Sequence, residues 1–197
     1  MIPIDLRGAR IRIRRAHPND SNVSFGWFSD PIVTRFLPLA GKSVLSLESI
    51  QSHLEQAASS DRPKLSMTFE LESQEPIGCG GFRNFESDSA EISIVIGNPA
   101  LWGQSFGAEA LDLLLAFGFR ELALTNIWLV VRADNIAATK LFRRFGFEVT
   151  EHHVAAVSID GVDQDKFKMR LSRLEYHTHS LKTANKPLHP TAGNAPV

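Results

Sequence analysis

The sequence predicts a single mixed α/β domain, and three observations carry that prediction. Strand-like segments alternate with helical patterns along most of the chain, and no internal repeat is visible. One helix, following the segment PALWGQSFGAEAL at 99–111, is apolar almost all round, as a helix buried in a core must be. Near the end, two strand-like runs flank Asp160 and Gly161, the signature of a closing hairpin. The length of 197 residues suits one domain with a tail.

The elements follow in order. Residues 9–15 alternate as a strand, with Ile11 and Ile13 inward and Arg10, Arg12 and Arg14 on a wet face. The next segment opens a helix near Pro18–Asp20, breaks it at Asp30–Pro31 and adds a short turn through Val33–Leu37. Leu47, Ile50, Leu54 and Ala57 sit at helical spacing within 46–58. Strands are expected at 66–72, 77–85 and 90–96, with Gln74, Glu75 and Pro76 turning between the first two. The apolar helix covers about 107–122, and a β-branched, aromatic strand follows at 126–132. Asn135 can cap a helix over 136–145 that stops at Gly146, as a glycine after a helix end does. Runs 147–158 and 165–171 form the hairpin. From Glu175 the chain loses periodicity and gains small, polar and proline residues, so 175–197 is expected to be a disordered tail behind a domain at 6–174.

Composition bounds the function. Hydrophobic residues make up 43% and charged residues 22%, the profile of a globular domain with a real core. A net charge of −1 gives no electrostatic case for nucleic acid or an anionic membrane as partner. The lone cysteine, Cys79, allows no internal disulfide, and its apolar setting IGCGGF suits a buried structural thiol. No apolar leader and no spanning window is present, which points to a cytoplasmic protein. His177, His179 and His189 read as solvated tail residues, so no metal is expected.

The glycines at 99–111 raise the chemical question. Gly103 and Gly107 do not fit a dinucleotide fingerprint, and no Lys-Ser/Thr follows as a phosphate loop requires. What remains is a strand, a short turn and a helix whose first amides are free. That is either an ordinary tight turn or a site for an anion.

Downstream, NIAATKLFRRFGFEV follows the strand IWLVVRAD. Together with WGQSFGAEAL, the opening RIRIRRAHPNDSNVSFGWFSDPIVTRFL and the ending GFEVTEHHVAAVSIDGVDQDKFKMRLSR, this resembles the GNAT superfamily of N-acetyltransferases, in its RimJ/RimL-type branch. The resemblance spans about residues 6–174. It implies a mixed, mostly antiparallel central sheet flanked by helices, and acetyl-CoA as cosubstrate. It implies that amides of Gln104, Ser105, Phe106, Gly107 and Ala108 hold the pyrophosphate. It also implies that backbone groups of Ser93, Ile94, Val95 and Ile96 line the pantetheine arm, with Asn135 and Phe142 near its far end. Two positions depart from the family pattern. Trp102 replaces a polar residue, and Ser105 stands where glycine is usual.

In histone-type relatives a catalytic glutamate lies on the strand before this loop, and Glu91 takes the equivalent place here. The residue is also readable as a surface carboxylate or as a structural partner for an arginine. The family's general acid is often a tyrosine where this chain has Phe142, so thiolate departure is left to water or to a hydroxyl such as Ser105. Freeing an α-amine of pKa about 7.8 at pH 7 costs roughly 1 kcal/mol, against about 4.6 kcal/mol for a lysine-like amine. The expected activity is therefore direct acetyl transfer to a primary amine, a peptide N-terminus or a small amine, by a monomer or homodimer. The rival expectation is an idle acyl-CoA sensor on the same fold.

Overall fold

The computed structural model describes residues 2–37, 46–59, 64–159 and 162–184. Eight strands form one sheet: β1 (Asp5–Arg7), β2 (Ile11–Arg15), β3 (Lys64–Leu71), β4 (Pro76–Glu86), β5 (Ser89–Ile96), β6 (Asn126–Arg132), β7 (Glu148–Ile159) and β8 (Val162–Ser172). Their order is β1-β2-β3-β4-β5-β6-β8-β7, and every neighbouring pair is antiparallel except β5 with β6. The helices are α1 (Ser21–Ser29), α2 (Pro31–Thr34), α3 (Leu47–Ser59), α4 (Phe106–Arg120), α5 (Ile136–Arg144) and α6 (Arg173–Ala184). The strand and helix positions expected from periodicity hold within a few residues. Asp160 and Gly161 of the expected hairpin loop lie outside the described residues. None of the described helices is long and apolar enough to cross a membrane.

The two faces of the sheet differ. One carries Ile11, Ile13, Phe69, Ala90, Ile92, Ile127 and Leu129 against the buried side of α4, which makes this the main core. The other face is polar where it meets α1 and α3, which share a small cluster of Ala16, Ile50, Leu54, Phe25 and Phe28. The arginines of β2 are less solvated than their alternation suggests. Arg14 donates to both Asp20 oxygens (2.8 and 2.9 Å) and to Glu70 Oε2 (2.7 Å), while Arg12 reaches Glu70 Oε1 at 3.3 Å. Asp20 and Glu70 are both buried.

Burial alone would raise the Asp20 carboxyl, but Arg14, the His17 amide and Thr68 outweigh it and hold it below its ordinary 3.8. A carboxyl depressed in the folded chain contributes stability above 3.8 and loses it as pH falls through the folded value. An Asp20→Asn variant is expected to lose about 1 kcal/mol at pH 7. Urea midpoints of variant and parent should draw together as pH falls below 3.8 and converge once it passes below the depressed folded value; a gap that does not shrink over that range would refute the linkage.

The expected tail is corrected at its start, because residues 175–184 belong to α6. The local sequence explains the helix. Ser172 and Glu175 bond reciprocally, Ser172 N–H to Glu175 Oε2 at 2.7 Å and Glu175 N–H to Ser172 Oγ at 3.2 Å, a capping box. Tyr176 then stacks on Phe119 at 4.9 Å and is buried in the main core. Ring burial of this kind outweighs the polar composition around it.

Candidate active site

The parallel pair β5–β6 matches only at Ser89–Asn126, Ala90–Ile127 and Glu91–Trp128. Beyond Glu91 the two strands diverge. Strand β5 stays paired to β4 through Ser93, Ile94, Val95 and Ile96, and β6 stays paired to β8 through Arg132. The result is a wedge whose β5 wall is the backbone edge of Ser93–Ile96. At its mouth Trp102 donates its indole N–H to the Ile96 carbonyl at 2.8 Å, which fixes the start of the following loop.

That loop closes the wedge. Gly103 has φ +77° and Ser105 φ +67°, ψ +11°, with Gln104 between them on the ordinary side of φ. Such alternation turns successive amides towards one point, and it runs directly into the N-terminus of α4. Ala108 and Glu109 donate to the Ser105 carbonyl at 3.1 Å each, so the amides of Phe106 and Gly107 precede the first helical bonds. A Cβ on Gly107 would lie 3.7 Å from Ile96 and 3.8 Å from Leu141, which places the loop between the end of β5 and α5. Such a turn is what the anion alternative for 99–111 requires, a cradle of amides at the start of α4.

A clamp that the sequence did not disclose holds the cradle. Arg10 donates to the Gln104 carbonyl and to Glu109 Oε2, both at 3.0 Å, and its guanidinium lies 4.3 Å from the Phe106 ring centroid. Glu109 Oε1 accepts from the amides of Arg10 and Ile11 at 2.7 and 3.2 Å. Burial would raise the Glu109 carboxyl, but Arg10 and these amides hold it below the usual range.

The remaining predicted residues fall around the wedge. Asn135 caps α5 through its side chain, accepting from the Ala138 amide at 3.2 Å. Phe142 packs against the core, edge-on to Phe147 at 5.7 Å. Glu91 is buried on β5 at the last matched pair before the strands part. Its Oε1 accepts from Arg83 Nη2 at 2.6 Å and its Oε2 from Asn84 Nδ2 at 2.7 Å. Both partners lie across the β4–β5 hairpin, where the register shifts between Arg83 and Glu86 and Asn84 adopts φ +49°. Cys79 pairs with Val95 on the Glu91 face of the sheet, and burial pushes its thiol up to about 12, so it stays protonated. Tyr176 lies beside Phe119, about 20 Å along α4 from Ser105 by helical rise, so it supplies no acid here. Among the described residues no cluster of three or more ligating side chains could hold a metal.

Comparison with known proteins bears on the same region. The chain is 30% identical over 153 residues to an uncharacterized N-acetyltransferase, YoaA, of Bacillus subtilis (strain 168), covering 75% of this chain and 84% of that one. It is 27% identical over 103 residues to a spermidine N(1)-acetyltransferase of Escherichia coli (strain K12), covering 52% and 55%. In fold it resembles the spermidine N-acetyltransferase of Vibrio cholerae solved with CoA and spermine, with a TM-score of 0.78 at 20% identity over 86% and 99% of the two chains. The model of the acetyltransferase (GNAT) domain matches residues 10–148, a span that takes in the Arg10 clamp, the wedge, the cradle and α5. The chain therefore belongs to the GNAT family of acetyltransferases, enzymes that transfer an acetyl group from acetyl-CoA.

Proposed function

We propose that this GNAT enzyme, of RimJ/RimL type, acetylates the α-amine of a peptide N-terminus or a similar low-pKa primary amine. In this reading amides of Gln104–Ala108 hold the pyrophosphate of acetyl-CoA, and the free edge of Ser93–Ile96 takes its pantetheine arm. Asn135 and Phe142 border the far end. The amine lone pair attacks the thioester carbonyl carbon, the C–N bond forms, the C–S bond breaks and the thiolate leaves. Glu91 accepts the amine proton through a water, with Arg83 and Asn84 fixing the carboxylate. The thiolate is protonated from solvent.

The choice of acceptor rests on one observation. On the sheet face opposite α4, the buried carboxylates Asp20, Glu70 and Glu91 are each neutralised by an arginine: Arg14, Arg12 with Arg14, and Arg83. A polyamine needs free carboxylates for its several charges, and these three are already engaged. Proton energetics favour the same acceptor, because an α-amine demands least of a site without a side-chain acid. The test is competition between an α-amine peptide and its N-acetylated twin carrying one lysine, at pH 7, followed by thiol release. The α-amine peptide should win; equal or reversed rates overturn the assignment.

A further inference from the structure

We infer that the acceptor amine carries a carboxylate close to its nitrogen, held by a cationic stretch of the open sheet face beside the wedge. This rests on the amine-acetylating function proposed above and narrows its substrate class. Direct ladder partners point to one face of a sheet. The pairs Glu91–Trp128, Trp128–Arg170, Val130–Lys168 and Arg132–Lys166 therefore carry the Glu91 face across β6 and β8. On it Val130 is 44% exposed, an apolar floor open to solvent. The Lys168 ammonium lies 5.4 Å from the Trp128 ring centroid, so it flanks that floor.

The charges here are unequal. Glu91 is engaged with Arg83, Glu151 with Lys168 at 2.8 Å, and Asp134 with Arg132 at 2.6 Å. Lys166, next to Arg132 in the ladder, has no carboxylate within 4.0 Å among the described residues. Arg132 also donates to the Arg35 carbonyl at 2.8 Å and lies 5.2 Å from the Phe36 ring centroid. The residues just after α2 thus close the edge of the same stretch and add the Arg35 charge. Among the described residues of this face, Asp134 alone faces Arg132, Arg35 and Lys166 at the Arg132 end, while Glu148 lies at the far end opposite Arg170, so the Arg132 end of the surface has an excess of positive charge. It favours an anionic group on the incoming amine and disfavours a second ammonium.

Two sources share this chemistry: a peptide with an acidic residue next to its N-terminal one, and a free acidic amino acid. The probes are a C-terminally amidated tetrapeptide with glutamate second, its glutamine twin, free glutamate and spermidine, each read by thiol release from acetyl-CoA. The glutamate peptide should exceed its twin roughly fivefold in kcat/KM at low salt, the scale of one exposed ion pair. That ratio should shrink towards one in Lys166→Gln and at 0.5 M salt, where screening removes it. Thermal unfolding of the variant at the parent temperature confirms that the change is local. Free glutamate surpassing the peptide would assign the small-molecule source within the same inference. A wild-type ratio of one, a ratio unmoved by Lys166→Gln, or a preference for spermidine overturns it. Equal turnover of both peptides would leave the acetylation of α-amines standing, whereas no turnover of any amine would remove both.

Discussion

Glu91→Gln is expected to lose about a hundredfold in kcat near pH 7, with the KM for acetyl-CoA unchanged. General-base assistance is worth about 10²–10⁴-fold, and an α-amine places this enzyme at the lower end, because little free energy is needed to deprotonate it. The stability cost should be small. Asn84 can turn its amide to present oxygen to the amide introduced at position 91, and Arg83, whose side chain is 38% exposed, can complete its solvation with water. A loss of about 1 kcal/mol would lower the unfolding midpoint by about 2–4 °C. Glu91→Ala removes the acceptor for both partners and should lower the midpoint further for the same loss in kcat. Steady-state kinetics and a thermal melt on the three proteins separate the roles. If Glu91→Gln keeps its kcat while Glu91→Ala melts early, the carboxylate serves only to hold Arg83 and Asn84.

How much of this was legible in the sequence depends on the range of the interaction. Strand β6 and the ends of α5 were readable because their signals are local. The β-branched run, the Asn135 cap and Gly146, at φ +91°, each act within a few residues. The capping box Ser172-Arg-Leu-Glu175 was local too, but the composition of the following segment outweighed it, and the burial of Tyr176 on Phe119 depends on distant packing. Arg12 and Arg14 announced a strand without announcing partners, because Glu70 and Asp20 meet them only through the β2–β3 register and the turn after β2. The Arg10–Glu109 link spans 99 residues in sequence, and no spacing rule reaches that far. At the site, the resemblance suggested which residues to consider, while the parting of β5 from β6 beyond Glu91 was not readable from the sequence. The residues alone offered an arginine as partner for Glu91 without saying which, because Arg83 and Asn84 reach it through the bulged register of one hairpin.

Ser105 shows the same limit, and it supports the other large prediction: Ser105→Val should weaken coenzyme A binding at least tenfold, while Ser105→Gly should leave it within about twofold. A residue with a Cβ loses about 1 kcal/mol or more in the left-handed region, glycine loses almost nothing, and a β-branched side chain fits worst. Serine keeps φ +67° here although its side chain makes no capping bond to α4. The surroundings impose the conformation: Arg10 ties the Gln104 carbonyl on one side and Glu109 on the other, and covers Phe106 between them. Glycine in the same clamp keeps the neighbouring amides aimed as before and sheds the backbone cost, so Ser105→Gly should raise the unfolding midpoint by about 2–4 °C. Valine can relieve its strain only by turning the 104–106 amides, and a loss of at least about 1.4 kcal/mol in their interaction with the pyrophosphate is the tenfold change in affinity. Isothermal titration with coenzyme A and a melt of each variant measure both quantities. Wild-type affinity in Ser105→Val, in a protein that still melts cooperatively, would show that the pyrophosphate is held elsewhere and that the left-handed turn serves only to start the helix.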